Sequence, residues 1–171
     1  MDDEQVAQQV YLDIINRATD YVHIMTPYLI PDNELLAALK FAAKRGVDVK
    51  MILPGVPDKK TVFALSRSYY RELLAAGVEV WEYTPGFTHG KMFVSDDRVA
   101  VVGSVNLDYR SLYHHFECAA LLWRCGAVAE VKADMARTRE QCRRLTVEDC
   151  RRDKLWRRLL GWVFRPLAPL I

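Results

Sequence analysis

His89 and Lys91 stand two residues apart in the run Thr88-His89-Gly90-Lys91-Met92-Phe93-Val94-Ser95-Asp96. The run predicts a strand over Thr88 to Ser95, a tight turn at Asp96-Asp97, and a partner strand from Arg98 to Val102. Side chains alternate across a strand, so the imidazole and the ammonium would share one face, with Cα atoms roughly 6–7 Å apart. Gly90 between them keeps the opposite face small enough for another backbone to approach. An imidazole beside a fixed ammonium suits a phosphate: the ammonium neutralises phosphoryl oxygens while the ring attacks phosphorus or moves protons.

Gly103-Ser104-Val105-Asn106 follows seven residues after Asp96. Ser104 and Asn106 alternate onto one face, and both can hydrogen-bond phosphate oxygens without adding charge. Glu117 falls on a strand expected from Phe116 to Trp123, where a carboxylate can orient an imidazole through its ring N–H. Asp96 sits at the strand end, in the turn, and is expected to be structural. His23 reads as a packed or edge histidine. His114-His115 read as strand-edge polar residues, because neighbours on a strand point to opposite faces. Tyr28 either lines the site or packs. Asp108 and Arg110 either have a structural role, as an ion pair or in bonding the loop backbone, or act directly.

The elements that must position these groups alternate. Val6, Val10 and Ile14 set a helix from about Asp3 to Ala18, followed by a strand at Tyr21–Met25. Asp32 is a good N-cap for a helix from Asn33 to about Arg45, which Gly46 closes. A strand from Val47 to Leu53, a helix from Asp58 to Ala76 and a strand from Val78 to Trp81 complete a parallel α/β portion. The hairpin and the Phe116–Trp123 strand make the sheet mixed. Helix returns from Ala127 to Arg144, and Thr146 caps a final helical region ending near Pro166.

The 171 residues are 51% hydrophobic and 27% charged, which suits one globular domain with a sizeable core. No apolar run approaches the ~18–20 residues that span a bilayer. The acidic start, Met1-Asp2-Asp3-Glu4, lacks the basic segment of a secretory signal and reads as an arbitrary boundary. Cys118, Cys125, Cys142 and Cys150 match no C-x-x-C spacing and read as reduced packing thiols. The net charge of +2 is uneven: residues 132–171 hold 11 Lys/Arg against 5 Asp/Glu. In the tail, Trp156, Leu159, Leu160, Val163 and Leu167 share one helical face, with Arg157, Arg158 and Arg165 opposite or on the flank. Such a helix either docks on the domain or lies on an anionic bilayer. Aromatic-basic interleaving of the kind that binds nucleic-acid strands is not seen, so no nucleic-acid partner is expected. The chain divides into a domain over 1–146 and a basic amphipathic tail over 147–171.

The pattern His89, Lys91, Asp96, Gly103, Ser104, Asn106 resembles the signature of the phospholipase D superfamily. Thr26-Pro27-Tyr28-Leu29-Ile30-Pro31-Asp32, Gly46-Val47-Asp48-Val49, Ala76-Gly77-Val78 and Asn106-x-Asp108-x-Arg110-Ser111 extend it to the C-terminal half of bacterial cardiolipin synthases. The resemblance implies a phospholipase D-like α/β fold, a mixed sheet flanked by helices on both faces and forming one half of a two-repeat architecture. It implies His89 as one of two catalytic histidines, working through a phosphohistidine and read as the general acid/base. Lys91 and Asn106 would be phosphate ligands with Ser104 as helper, and Glu117 the carboxylate that orients a histidine. No cofactor or metal is implied. The partners implied are phosphatidylglycerol and anionic membrane lipid, with a parent enzyme at the cytoplasmic face of the cell membrane.

Cardiolipin synthases carry two such motifs, and this chain carries one. His23, His114 and His115 have no Lys two residues on. The missing half of the site must come from an N-terminal half in cis or from a second copy as a homodimer. Three functions stay open: a phosphatidyltransferase half, a homodimeric phosphodiesterase or nuclease, and a non-catalytic membrane-binding half.

Overall fold

The computed structural model describes residues 4–153 and 155–170, without the side chain of Arg157. The expectations on Met1–Asp3 and on the Arg157 side chain lie outside the described residues. Nine strands and six α-helices are described. They are α1 (Val6–Arg17), β1 (Tyr21–Met25), β2 (Leu29–Ile30), α2 (Asn33–Lys44), β3 (Asp48–Pro54), α3 (Lys60–Ala75), β4 (Glu79–Tyr83) and β5 (Met92–Ser95). After these come β6 (Val99–Gly103), β7 (Leu107–Asp108), β8 (Ala119–Trp123), α4 (Gly126–Glu140), β9 (Cys142–Arg144), α5 (Val147–Arg152) and α6 (Leu155–Phe164).

Seven strands form one mixed sheet in the order β8-β6-β5-β1-β3-β4-β9. β1, β3 and β4 run parallel, because α2 and α3 carry the chain back between them. β5, β6, β8 and β9 pair antiparallel to their neighbours. Period-two alternation sends Val22, Ile24, Val49, Met51 and Phe93 to one face, where α1, α2 and α3 bury them with Ile15, Leu39 and Leu73. Met25, Ile52, Val94 and Ala100 go to the other face, under Val128 and Met135 of α4. This is the helix-flanked mixed sheet expected. Leu29 and Ile30 add a small parallel ladder with Leu107 and Asp108, which sequence patterning did not show.

Strand limits follow from partners. Pairing of β5 begins at Met92, opposite Met25, because β1 ends there. His89 and Lys91 therefore precede the strand rather than lie on it. Likewise β8 begins at Ala119, opposite Gly103, the last residue of β6, so Glu117 also precedes its strand. Gly103 is needed at that closure, because a Cβ there would stand 2.3 Å from the Cys118 carbonyl oxygen. At Gly90 it is the Met25 side chain, not another backbone, that fills the space a Cβ would take, with Sδ at 2.6 Å. The helix expected to reach Arg144 stops at Glu140. Arg144 and Arg143 instead pair across to Glu79 and Glu82 of β4, as edge strand β9. His114 belongs to a single π-helical turn, Arg110–His114, and not to a strand edge. Cys118 and Cys125 are exposed rather than packed.

The three-residue β5–β6 connection puts Asp96 and Asp97 at φ 53° and 55°, both left-handed, and the Arg98 N–H closes the turn on the Ser95 carbonyl at 3.0 Å. The Asp96 carboxylate accepts from the Thr19 N–H at 2.8 Å, the Thr19 hydroxyl at 3.0 Å, the Asp20 N–H at 3.0 Å and the Tyr21 N–H at 2.9 Å. Burial opposes the charge, but these bonds from Tyr21, Thr19 and Asp20 outweigh it and hold the carboxyl below its usual range. Asp96 thus bolts the hairpin to the start of β1.

α6 docks on α3 through Gly161. A Cβ on Gly161 would stand 2.7 Å from the Ala64 carbonyl oxygen and 2.9 Å from the Ser68 Cβ. Thr146 caps α5 in a capping box with Asp149, as its sequence position predicts.

Two predictions follow from these ties. Asp96→Asn removes the charge that holds three backbone N–H groups, and it lowers stability by about 1–3 kcal/mol at pH 7, discounted for solvent. A carboxyl with a depressed folded pKa stabilises above its unfolded pKa and loses that contribution as pH falls. Urea unfolding should therefore separate variant and wild type at pH 7, with the gap narrowing progressively as pH falls below the ordinary carboxylate range. Gly161→Val, overpacked against α3, should raise hydrogen exchange through Leu155–Phe164 while the β1 and β5 amides keep their protection.

Candidate active site

β5 runs antiparallel to β1, so the residues just before β5 arrive at the C-terminal ends of the parallel strands. Open α/β sheets bind ligands at that end. The Gly103 N–H reaches the Lys91 carbonyl at 3.3 Å, which brings the end of β6 to the same place. The Ser104 N–H bonds the Cys118 carbonyl at 2.9 Å, which brings in the approach to β8. The Leu107 N–H bonds the Thr26 hydroxyl at 3.2 Å, so the Thr26-Pro27-Tyr28 loop joins them. The hairpin and its two neighbours thereby collect His89, Lys91, Ser104, Asn106 and Glu117 at one end of the sheet.

His89 is exposed, in an aromatic corner. Its ring lies 5.4 Å from that of Phe87 and 6.2 Å, edge-on, from that of Tyr28. The Tyr28 hydroxyl donates to Asp58. Partial burial, and then the Lys91 ammonium, push the His89 pKa below its ordinary 6.5, against the pull of Asp58. The imidazole is neutral at pH 7, with a ring lone pair free. Sequence reasoning offered Tyr28 but missed Phe87 and Asp58. The Pro85-Gly86 turn that aims Phe87 was the available signal.

Lys91 Nζ donates to the His89 carbonyl at 2.8 Å. Burial lowers its pKa, while Glu117 and Asp108 favour its charge. Neither carboxylate is within ion-pair distance of the ammonium, and burial outweighs their pull. Burial raises the pKa of Asp108, against hydrogen bonds that include the Ser111 N–H at 2.8 Å. Asp108 bonds the loop backbone, and no ion pair with Arg110 is seen among the described residues.

Ser104 acts as a strut. Its hydroxyl donates to Glu117 and accepts from the Cys118 N–H at 2.9 Å. Glu117 is therefore held by Ser104, and its observed hydrogen-bond partner is this hydroxyl rather than a histidine. Asn106 donates from Nδ2 to the Ser111 hydroxyl at 3.0 Å, and its Oδ1 is buried without a partner. Half a turn of that amide would let Oδ1 accept from Ser111 and point the NH₂ into the vacant position.

Asp96 is not part of this cluster. Five residues of extended chain, about 17 Å, separate it from Lys91. Its four bonds hold the other end of the hairpin. His23 packs on Tyr21 with ring centroids 4.7 Å apart, and its Nε2 lies 3.1 Å from Asp48. His114 and His115 are exposed. Among the described residues no group of three His, Cys, Asp or Glu could hold a metal ion, and no helix is long and apolar enough to cross a membrane.

Comparison with known proteins agrees with this geometry. A family model described as "Cardiolipin synthase, PLD-like domain" matches residues 11–139. An uncharacterised protein of Streptococcus mutans is 53% identical over all of this chain and 37% of its own length. Cardiolipin synthase 2 of Bacillus anthracis is 38% identical over 98% of this chain and 32% of its own length. The chain thus spans about a third of the curated relatives it matches. Among solved structures, Nuc of Salmonella typhimurium, a phospholipase D family member, superposes with TM-score 0.69 at 22% identity over 82% of this chain and 91% of its own. Phosphatidylserine synthase of Haemophilus influenzae superposes with TM-score 0.78 at 17% identity over 96% of this chain and 45% of its own. Both structural likenesses speak to the fold. With its sheet, its hairpin-borne His89–Lys91 pair and the family match over most of its length, the chain belongs to the cardiolipin synthase PLD-like domain family of the phospholipase D superfamily.

Proposed function

We propose that this chain is the C-terminal catalytic half of a phosphatidyltransferase that joins two phosphatidylglycerols into cardiolipin and releases glycerol. The observation that carries the reading is the gathering of a single His89–Lys91 pair with Ser104, Asn106 and Glu117 at the C-terminal ends of the parallel strands. A bound phosphodiester adds negative charge near Glu117 and Asp108, with one ammonium to meet it. A second His-x-Lys half, with its own ammonium, is what would balance that charge.

In the first step one histidine attacks phosphorus and forms a P–N bond. The P–O bond to glycerol breaks, and the other histidine gives its proton to the leaving oxygen. In the second step that histidine takes the proton of the second lipid's hydroxyl. The alkoxide forms a new P–O bond, and the P–N bond breaks. We assign the acid/base role to His89. Its neutral resting state suits the proton-accepting step. A phosphodiester anion beside it favours the imidazolium and opposes the pull of Lys91, which suits the proton-donating step. Lys91 would leave the His89 carbonyl for a phosphoryl oxygen, and the Asn106 NH₂ would donate from its buried position. Ser104 would act mainly by holding Glu117. The partner half would seat beside this cluster, where Phe116, next to Glu117, stands 94% exposed. The parent enzyme would work at the membrane that supplies its lipids.

A second reading has one observation in its favour: the Nuc chain, matched over 91% of its length, is itself about the size of this domain. Two copies of the present chain would then build a phosphodiesterase site from two His89 residues.

His89→Gln, assayed in a two-motif polypeptide that carries this chain, should cut phosphatidyl transfer by ~10²–10⁴-fold. Retained cardiolipin formation would remove His89 from the site. The proton NMR titration of His89 in the isolated chain should have its midpoint below 6.5, and Lys91→Met should move it up. An unmoved midpoint would show that the two side chains do not interact.

A further inference from the structure

α6 docks on α3, yet it leaves a second apolar stripe in solvent. Leu155, Leu159 and Trp162 are 68%, 56% and 75% exposed, and their spacing puts them on one side of the helix. The docked side is formed by Gly161, Phe164 and the residues that follow toward buried Ala168. A helix that is apolar on both its protein side and its outer side does not suit water on the outer one.

Beside the stripe, between α3 and α6, lies a cavity of about 330 Å³. Ala64 and Ser68 line it from α3, and Leu155, Leu159 and Trp162 from α6. Four arginines also line it, and they differ in kind. Arg67 is paired with Glu82 and Asp153, and Arg165 with Glu72. Arg71 and Arg158 are exposed and have no carboxylate partner among the described residues; Arg158 donates only to the Arg151 carbonyl, at 3.5 Å. The site thus offers two uncompensated guanidinium groups over an apolar wall that continues onto the outer stripe of α6. Guanidinium groups bind phosphate in fork geometry, and an apolar helix face rimmed by arginine enters the interface of an anionic bilayer.

We propose that the α3–α6 cavity and the outer stripe of α6 form a docking site for an anionic phospholipid bilayer, separate from the His89 site. One lipid phosphate sits on Arg71 and Arg158. Trp162, Leu159 and Leu155 enter the headgroup–acyl boundary. The proposal goes beyond the transfer reaction and does not depend on it, because no residue of the His89 cluster takes part.

The test is co-sedimentation of the 171-residue chain with vesicles of phosphatidylcholine alone and of phosphatidylcholine with phosphatidylglycerol in equal parts. The chain should bind the mixed vesicles at least tenfold more tightly, and less so in high salt. Arg71→Gln and Arg158→Gln should each weaken binding roughly fivefold. Trp162→Ala should weaken it as well, with unchanged thermal unfolding, since the side chain stands in solvent. Vesicles of phosphatidylcholine with phosphatidylserine in equal parts, which carry similar charge without the proposed substrate, should bind comparably, which separates this site from the transfer site. Equal binding to both vesicle types, or a doubly substituted arginine variant that binds as wild type, would overturn the proposal. So would a chain that stays in the supernatant, including one that forms a dimer which Trp162→Ala splits, because the stripe would then belong to a protein contact.

Discussion

The carboxylate of Asp96 holds three consecutive residues of backbone, Thr19 to Tyr21, at the point where β1 begins. The rest of the site depends on that tie. It fixes β5 against β1, with Ser95 opposite Val22 and Met92 opposite Met25. A slip of one residue would send Phe93 out of the α1 side of the core, where its ring stacks on Tyr11 at 3.9 Å, and Val94 into it. With the register fixed, β5 has no freedom in where its other end emerges. His89 and Lys91 arrive at the C-terminal ends of the parallel strands because Asp96 is anchored at the opposite ends. The spacing within His-x-Lys-x4-Asp is, on this account, the length of the strand that connects an anchor to a reaction centre.

What arrives there is an electrostatically incomplete site. The His89 pKa is pushed down, Lys91 has no carboxylate within ion-pair distance among the described residues, and a buried Asn106 oxygen lacks a partner. Each of these is costly or idle in a self-sufficient pocket. Each has a use once a phosphodiester and a second His–Lys pair are present. The exposed Phe116 ring beside Glu117 is likewise at odds with water and suited to a protein surface. Incompleteness at the sheet end and the apolar outer stripe of α6 are different features on different elements. Under the proposed function the first would be met by a second His–Lys half, and under the proposed docking site the second by a bilayer.

The candidate site residues stood out in the sequence because their types and spacing are rare together, and the structure gathers them at one end of the sheet except Asp96. The parallel strands, the helices between them and the Asp96-Asp97 turn were legible because periodicity and turn chemistry agree there. Strand ends were not, since Met25 and Gly103 decide where β5 and β8 begin, and those partners are distant in sequence. β9 read as helix because Arg143 and Arg144 owe their strand to Glu82 and Glu79, which local pattern does not contain. The hold of Ser104 on Glu117 crosses between two strands and was equally invisible. For α6 the sequence left docking and membrane contact as alternatives. The structure shows docking through Gly161 and an apolar face still free, so the two are not exclusive.

The central claim is that this chain holds half of a reaction centre. Light scattering on a sizing column, with phosphodiester cleavage and phosphatidyl transfer assayed across the eluted peak, tests it most directly. The account predicts no turnover in a monomer peak, and turnover only where a second His–Lys half is present, in cis or as a second copy. Turnover that tracks a monomer on dilution would contradict it, because one His89 and one Lys91 would then suffice.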